Sequence, residues 1–285
     1  MKKTSAFCIT ILLALACGQQ STKNIEHAND KTTTAMENVY IFDEGFYMPQ
    51  LGRYRKIWLY LPPDYFKNNK HYPVLYMHDG QYLFDDLTSF VGEWGVDEVL
   101  NEMFEDGFPG VIVVGIEHRS EERLNEYSPW KRKGMGGGLG DKHADFLVQT
   151  LKPAIDKNFR TLPDRENTGI GGSSMGGLIS FYVSLKHPGI FGRSLIFSPA
   201  FWFAEKSYAF AKNTEIAHDF RMYFLAGGKE DPERDVHKAT GRMVEIMKTK
   251  GLAENQYRFV ADPEGIHDEA FWGNYFGDAV AFFFY

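Results

Sequence analysis

The pattern of apolar and polar positions along the 285-residue chain alternates between two kinds of segment. Short runs rich in Val, Ile, Leu, Tyr and Phe, without polar alternation, are typical of strands buried on both faces of a parallel sheet. Longer segments between them place apolar residues three and four positions apart, as amphipathic helices do. The pattern therefore predicts an α/β fold, a mainly parallel central sheet with helices on both faces. The predicted strands are residues 55–61, 72–77, 111–116, 168–170, 193–197, 222–226 and 256–260.

The helical periodicity predicts five helices, and length favours a single domain over residues 39–285. The apolar stretch at the C-terminus, residues 279–285, is too short to cross a membrane and is expected to pack on the sheet as a helix end. The predicted helices are residues 96–104, 144–159, 178–185, 236–250 and 269 to the C-terminus.

The first 17 residues have the features of a secretory signal peptide, a charged start followed by an apolar run from Ala6 to Ala16. This run ends in a Leu-Ala-Leu-Ala-Cys-Gly sequence that resembles a bacterial lipobox, so we expect Cys17 to be lipidated. The alternative is cleavage near Ala16 without lipidation, which would leave a soluble periplasmic or secreted protein. The only other cysteine is Cys8, within the signal peptide, so no disulfide is expected in the mature chain.

The polar residues 18–38 are expected to form a disordered tether between the anchor and the domain. These features predict export to the periplasm or the cell surface, with membrane contact only through a lipid anchor. The formal charge of -7 and the absence of a basic stripe argue against nucleic acid as a partner.

No sequence motif indicates a metal or a cofactor. The chain has no His-Glu-x-x-His, no paired Cys-x-x-Cys and no EF-hand loop, which argues against a catalytic metal. The glycine-rich run from Gly134 to Gly140 lacks both the Gly-Lys-Ser/Thr ending of a phosphate loop and the spacing of a dinucleotide fingerprint. We therefore expect neither a catalytic metal nor a cofactor.

The most specific motif is Gly172-Ser173-Ser174-Met175-Gly176, which fits the Gly-x-Ser-x-Gly nucleophile elbow with Ser174 at its centre. A predicted strand precedes it and an apolar predicted helix follows, as the motif requires. The turn would hold the Ser174 hydroxyl toward solvent, and the Met175 N–H at the helix start would stabilise an oxyanion. The motif therefore predicts a serine hydrolase.

A serine nucleophile needs a base and an acid, which follow it in the order Ser, acid, His in hydrolases of this fold. His267 follows the last predicted strand, whereas His218 and His237 lie before a strand and on a helix, so His267 is the predicted base. The loop after the strand at 222–226 carries both Glu230 and Asp231. Glu230 is the preferred acid, and Asp231 stays the alternative because it also suits a helix N-cap before proline.

The second oxyanion donor is expected in the loop after an earlier strand, where Asp79-Gly80-Gln81 provides a glycine turn. We assign this role to the Gln81 N–H. His78 and Asp79, beside it, are interpreted as loop-stabilising groups rather than as members of the triad.

With these residues in view, the chain resembles the putative-esterase family of α/β-hydrolases over about residues 40–276. That family includes esterase D, feruloyl esterases, enterobactin-type siderophore esterases and mycobacterial mycolyltransferases, and the likeness is greatest to the enterochelin-esterase-like branch. Besides the elbow, the resemblance rests on six segments: Tyr-Pro-Val-Leu-Tyr-Met-His-Asp-Gly from residue 72, Trp-Gly-Val-Asp-Glu from residue 94, Glu-Tyr-Ser-Pro-Trp from residue 126, Thr-Leu-Lys-Pro from residue 150, Phe-Ser-Pro-Ala-Phe-Trp from residue 197 and His-Asp-Glu-Ala-Phe-Trp from residue 267.

The resemblance implies an α/β-hydrolase fold, a triad of Ser174, Glu230 and His267, and oxyanion amides at Gln81 and Met175. It also implies ester hydrolysis through an acyl-enzyme without a cofactor. Aromatic residues of the connecting loops are candidates for an acyl or sugar pocket, although the family positions indicate that at least half of them are packing residues. These candidates are Trp94, Tyr127, Trp130, Phe201 and Trp202.

The expected substrate is a small-molecule or polysaccharide-linked ester, either an acyl ester of a polysaccharide or a siderophore ester. Two other functions stay open at this point. One is acyl transfer of the mycolyltransferase type, in which an alcohol replaces water. The other is non-catalytic binding at the cell surface on a hydrolase fold, against which the Ser, acid and His positions argue.

Overall fold

A computed structural model describes residues 26–27 and 33–285. Its sheet has nine strands in the order β1-β2-β3-β5-β4-β6-β7-β8-β9. The pairs β1–β2, β2–β3 and β3–β5 are antiparallel. The remaining pairs, from β5–β4 along the sheet to β8–β9, are parallel. The strands are β1 Glu26–His27, β2 Val39–Met48, β3 Arg53–Tyr60, β4 Val74–His78, β5 Ile112–Ile116, β6 Thr168–Ser173, β7 Arg193–Phe197, β8 Arg221–Gly227 and β9 Tyr257–Asp262.

Helices cover both faces of this sheet, as the sequence pattern predicts. Side chains of α1 and α8 share a core with one face, and those of α3 to α7 share a core with the other. The α-helices are α1 Val96–Glu105, α2 Ser120–Glu126, α3 Gly140–Phe146, α4 Lys152–Asn158, α5 Met175–Lys186, α6 Lys206–Asn213, α7 Val236–Thr249 and α8 Glu269–Phe284. The apolar C-terminus is the end of α8, where Val280 and Phe283 are buried.

The parallel strands determine where the loops meet. Strands β4, β6, β8 and β9 run side by side or nearly so, and their carboxyl ends lie at one edge of the sheet. Loops from that edge carry Gln81, Ser174, Glu230 and His267. This is the edge at which open α/β sheets place their ligands.

Several elements differ from the sequence pattern. Strand β2 was not predicted, because register shifts after Ile41 and Asp43 interrupt its period of two. The predicted helix 144–159 is three consecutive segments, α3, a π-helical turn Leu147–Leu151 and α4. Pro153 lies just after that turn. Proline has no N–H to donate to the preceding turn and its ring crowds the carbonyl there, so the regular α-helical hydrogen bonding is interrupted at this point. Helices α2 and α6 are short and were also not predicted.

The described N-terminal residues contact the domain. The Thr33 hydroxyl donates to Asp85 Oδ2 at 2.6 Å, and the Met36 N–H donates to Asp97 Oδ2 at 2.7 Å. Residues 33–38 therefore belong with the domain rather than with the predicted tether 18–38. The signal peptide, Cys17 and residues 18–25 and 28–32 lie outside the described residues, and within the described ones no helix has the length and apolar character to span a membrane.

Candidate active site

Ser174 lies between β6 and α5 in a strained backbone conformation. Its φ of 56° and ψ of -119° fall in a region that L-residues rarely adopt. The turn is held by neighbouring strands, since the Ser174 N–H donates to the Phe197 carbonyl at 2.9 Å and the Ala200 N–H donates to the Ser174 carbonyl at 2.9 Å. This is the sharp strand-to-helix turn that the elbow motif predicts.

The motif glycines allow this turn. A Cβ on Gly172 would lie 3.1 Å from the Gly176 Cα and 3.1 Å from the His78 Cβ. A Cβ on Gly176 would lie 3.1 Å from Asp79 Oδ2, so the start of α5 lies directly against the loop after β4. The absence of side chains at these two positions is what lets the elbow and that loop approach each other.

His267 and Glu230 are hydrogen-bonded. The distance from His267 Nδ1 to Glu230 Oε2 is 2.6 Å, and the Glu230 side chain is 2% exposed. The other oxygen, Oε1, accepts from the Gly227 N–H at 2.6 Å and from the Ser198 hydroxyl at 2.7 Å. The carboxylate is thus buried, fixed by two further donors and directed at the imidazole, as an orienting acid requires.

Two residues that support Glu230 were not assigned roles from the sequence. Trp272 Nε1 donates to Ser198 Oγ at 2.8 Å, and the Ser198 hydroxyl in turn donates to Glu230. The Trp272 ring also meets the His267 ring edge to face, with centroids 4.9 Å apart. Both residues occur in the segments that carry the family resemblance, Ser-Pro-Ala-Phe-Trp and His-Asp-Glu-Ala-Phe-Trp, which was the available signal for them.

The rejected candidates have other contacts. Asp231 accepts from Arg234 Nε at 2.8 Å and from the Glu233 N–H at 2.9 Å, so it stabilises the loop before α7. His237 lies on α7, where its ring stacks near Phe259. His218 lies in the loop before β8. The structure therefore places Glu230, rather than Asp231, against the predicted base.

The loops that carry Glu230 and His267 are packed backbone against backbone. A Cβ on Gly227 would lie 2.3 Å from the Gly265 carbonyl oxygen, and a Cβ on Gly228 would lie 2.6 Å from the Pro263 carbonyl oxygen. The Lys229 N–H donates to the Gly265 carbonyl at 2.9 Å across this contact. The relative position of Glu230 and His267 depends on this close approach.

The loop after β4 is fixed from several sides. Asp79 has a φ of 61°, and Arg123 binds its two carboxylate oxygens at 2.9 and 2.7 Å. Burial favours a higher pKa for Asp79, but the guanidinium outweighs it and the pKa lies below its ordinary value. The Gln81 side chain accepts from the His118 N–H at 3.2 Å. Asp79 thus stabilises this loop through Arg123. His78 Nδ1 instead lies 3.0 Å from the Gly171 carbonyl oxygen and 3.0 Å from Ser180 Oγ, so its loop-stabilising role stays a prediction.

A buried polar network lies beneath this loop. His78 Nε2 is 3.1 Å from His143 Nε2, and burial together with that neighbour lowers the pKa of His78 to about 3. Arg55 Nη2 binds both oxygens of Glu126, at 2.7 and 2.9 Å, with both side chains almost completely buried. These groups connect β3, β4, α2 and α3, and they lie in the protein interior next to the loop that follows β4.

Ser174 and His267 line one cavity of about 310 Å³, together with Glu230. Trp202 is the one aromatic candidate in its lining. The Arg234 guanidinium lies 4.1 Å from the centroid of the Trp202 ring, and Arg234 also lines the cavity. A flat aromatic face with a cation beside it forms one wall of the site.

The other aromatic candidates lie elsewhere. Trp94 is stacked on Phe197 in the core, and the Tyr127 hydroxyl accepts from the Asp79 N–H while its ring is buried. Trp130 packs against Tyr182 and Phe210. Phe201 is completely buried. These four residues pack the protein, and Trp202 alone of the five lines the Ser174 cavity.

Comparison with curated proteins finds relatives of similar length and of much greater length. The chain is 26% identical over 238 residues to a Bacillus subtilis (strain 168) protein named "Uncharacterized protein YbbA", covering 79% of this chain and 91% of that one. It is 25% identical over 238 residues to an "Endo-1,4-beta-xylanase/feruloyl esterase" of Xylanibacter ruminicola, covering 81% of this chain. The match spans only 28% of that second relative.

Solved structures share the fold. A ferulic acid esterase aligns with a TM-score of 0.68 at 17% identity, covering 87% of this chain and 98% of that one. The enterobactin esterase of Shigella flexneri aligns with a TM-score of 0.66 at 18% identity, covering 89% of this chain and 59% of that one. The profile of the family described as "Putative esterase" matches residues 49–283. The chain belongs to this family of esterases and has the α/β-hydrolase fold.

Proposed function

We propose that the protein is a serine carboxylic-ester hydrolase whose triad is Ser174, Glu230 and His267. The observation that carries the proposal is the 2.6 Å contact between His267 Nδ1 and the buried Glu230 carboxylate, in a cavity that Ser174 also lines. Because Nδ1 is directed at Glu230, Nε2 is the ring nitrogen left to accept the serine proton.

The reaction follows from these positions. His267 takes the Ser174 proton as the oxygen attacks the ester carbonyl, and Glu230 stabilises the imidazolium that forms. His267 then protonates the leaving alcohol, which leaves an acyl-serine. Water attacks this acyl group with His267 again acting as base, so that the acid is released and the serine is restored.

The oxyanion is proposed to bind the N–H groups of Met175 and Gln81. Met175 is the first residue of α5, where a helix N–H has no intrahelical partner and the helix dipole favours negative charge. Gln81 lies in the loop that touches the first turn of α5 at Gly176. In other hydrolases, one such donor lowers the activation free energy of acyl transfer by roughly 3 kcal/mol, and two donors lower it by several kcal/mol.

For the substrate, we propose an acyl ester of a polysaccharide, with a siderophore ester as the second candidate. The xylanase/feruloyl esterase relative favours the first. The Trp202 face and the apolar side chain of Val236 give the cavity a surface on which a planar acyl group can pack. Export and lipidation of Cys17 are part of the proposal, and incorporation of a labelled fatty acid by wild type but not by Cys17→Ala would support them.

The test is turnover of p-nitrophenyl acetate, p-nitrophenyl butyrate and methyl ferulate by the protein and its variants. Ser174→Ala should abolish turnover, and Glu230→Gln should lower kcat by about 10²–10⁴-fold because the imidazole loses its charged partner. Ser173→Ala is the matched control, since this neighbouring serine belongs to β6, and it should keep activity near the wild-type value.

The alternatives give different results in the same assay. If Ser174→Ala turns over as fast as wild type, the triad assignment is wrong. Product ester formed from an added alcohol faster than free acid would indicate an acyltransferase. A folded wild-type protein with no turnover of any ester would contradict hydrolysis and favour surface binding.

A further inference from the structure

Three carboxylates meet at the start of α1, outside the site described above. Glu93, Asp97 and Glu98 each offer one oxygen, and these oxygens lie within 4.8 Å of one another. Asp97 is completely buried, Glu93 is half-buried and Glu98 is exposed. Three negative charges this close repel one another strongly, so the cluster requires compensation.

Two buried oxygens of this cluster have no hydrogen-bond donor among the described residues. Asp97 Oδ2 accepts from the Met36 N–H at 2.7 Å, but within the described part of the chain no donor reaches Asp97 Oδ1 or Glu93 Oε2. A buried carboxylate oxygen without a partner is costly, and most such atoms in folded proteins are paired. This observation is separate from the clustering itself, and it indicates a ligand that carboxylate oxygens can bind.

We propose that Glu93, Asp97 and Glu98 bind a calcium ion. Calcium binds carboxylate oxygens at 2.3–2.6 Å, so two oxygens on the same ion are separated by at most about 5 Å, which the cluster satisfies. Calcium also needs six to eight ligands, some of which are commonly water. Glu93 and Glu98 line a cavity of about 670 Å³ between α1 and α8, which gives the ion an entry path and room for water.

The position of the cluster indicates a structural role for the ion. It connects the N-terminal segment through Met36, the loop that follows Gln81, and the first turn of α1. Trp94, which lies between Glu93 and Asp97 in the sequence, packs closely against α8. A Cβ on Gly273 of that helix would lie only 2.2 Å from the Trp94 carbonyl oxygen. None of the three carboxylates lines the cavity of Ser174, so the ion takes no part in the proposed chemistry and the expectation that no catalytic metal is needed is unaffected.

Protons are the competing ligands of the cluster. Burial and the neighbouring carboxylates raise the pKa of Asp97 to about 9 and that of Glu93 to about 7. Calcium binding should displace such protons, as metal binding to ionisable ligands generally does. An experiment must therefore distinguish a bound cation from a set of protonated carboxyl groups.

The test uses the full chain after treatment with chelator and dialysis. Terbium, a luminescent substitute for calcium, should give saturable luminescence on excitation of tryptophan, because Trp94 lies next to Glu93 in the sequence. Calcium should displace terbium and raise Tm by about 5 °C when present at about a hundred times its Kd. Magnesium, which prefers shorter bonds, should displace terbium only at much higher concentration.

Variants connect these signals to the cluster. Glu98→Gln changes an exposed side chain and should fold, yet it should weaken calcium binding at least tenfold, and Glu93→Gln and Asp97→Asn should abolish it. Glu102→Gln is the matched control, an exposed glutamate one turn further along α1, and should bind as wild type does.

The outcomes are decisive and independent of the proposed function. No terbium luminescence and no change in Tm at 10 mM calcium would overturn the site. Equal calcium binding by wild type and a Glu93→Gln, Glu98→Gln double variant would also overturn it. Ester turnover by calcium-free protein is measured in parallel, so that failure of the metal site and failure of the hydrolase proposal are separately visible.

Discussion

The contact between Gly227 and Gly265 offers the sharpest test of how acid and base are positioned. In Gly227→Ala the added methyl group would lie 2.3 Å from the Gly265 carbonyl oxygen, whereas ordinary contacts begin near 3.4 Å. One of the two loops must therefore move by about 1 Å. Both loops lie directly beside the proposed triad, since Gly227 is three residues before Glu230 and Gly265 is two before His267.

The expected loss of activity follows from this displacement. A 1 Å misplacement of reacting groups costs on the order of 10²-fold in rate. Overpacking of a well-packed region costs about 1–3 kcal/mol of stability. The Gly227 N–H also donates to Glu230 Oε1, so the same movement disturbs the acid directly. We expect kcat/KM to fall about 100-fold, with a lower Tm but a folded protein.

The assay is kcat/KM on p-nitrophenyl butyrate, with circular dichroism and Tm measured on the same samples. Gly189→Ala is the control, because this exposed glycine has no atom within 4 Å of an added Cβ. It should leave both activity and Tm nearly unchanged. Activity of Gly227→Ala within threefold of wild type would refute the argument that this contact sets the acid–base geometry.

Three other predictions concern groups that support the site. Ser198→Ala removes one of the donors to Glu230 and should lower kcat by roughly 10- to 100-fold, since a hydrogen bond to a charged group contributes about 1.5–3 kcal/mol. Ser194→Ala, on the strand β7 that ends just before Ser198, is the control, and an equal loss there would argue against a specific role. Glu126→Gln leaves the buried Arg55 guanidinium without its counter-charge and should lower the free energy of unfolding in urea by about 3 kcal/mol, whereas exposed Glu121→Gln should have little effect. Burial alone would raise the pKa of Glu126, but His143 and the two arginines outweigh it and lower the pKa from 4.5 to about 2. The contribution of this carboxylate to the free energy of unfolding should therefore be fully present above pH 4.5 and lost as the pH falls toward 2. Between pH 6, 4 and 3, the urea concentration at the unfolding midpoint should fall more steeply for wild type than for Glu126→Gln.

The site could be located from the sequence because its parts occupy positions that the fold dictates. The elbow around Ser174 combines a local motif with a strand and a helix that periodicity detects. Gln81 and His267 each follow a strand that the sequence predicts, at 72–77 and at 256–260. The choice between Glu230 and Asp231 could not be made locally, since both residues lie on the same loop, and it depends on the Gly227 and Ser198 donors that only the fold brings together.

The features that the sequence did not reveal depend on contacts between distant segments. Trp94, Tyr127 and Trp202 are all large aromatics in loops, and nothing in the local sequence distinguishes the one that lines the cavity from those that pack the core. The extra strand β2 escaped detection because its bulges break the alternation that marks a strand. The cluster of Glu93, Asp97 and Glu98 resembles an ordinary acidic helix start until burial is known.

The placement of His267 after β9 has a consequence for how the protein loses activity. Strand β9 is the last in the sheet and pairs only with β8, and none of its residues is buried. Outer strands and the segments attached to them open at lower free energy than the centre of a domain. A sub-global opening that detaches β9 and the His267 loop would separate the base from Ser174 while the central strands stay paired. Turnover should therefore disappear at lower denaturant concentration than the far-ultraviolet circular dichroism signal, and backbone amides of β9 should exchange hydrogen faster than those of β6.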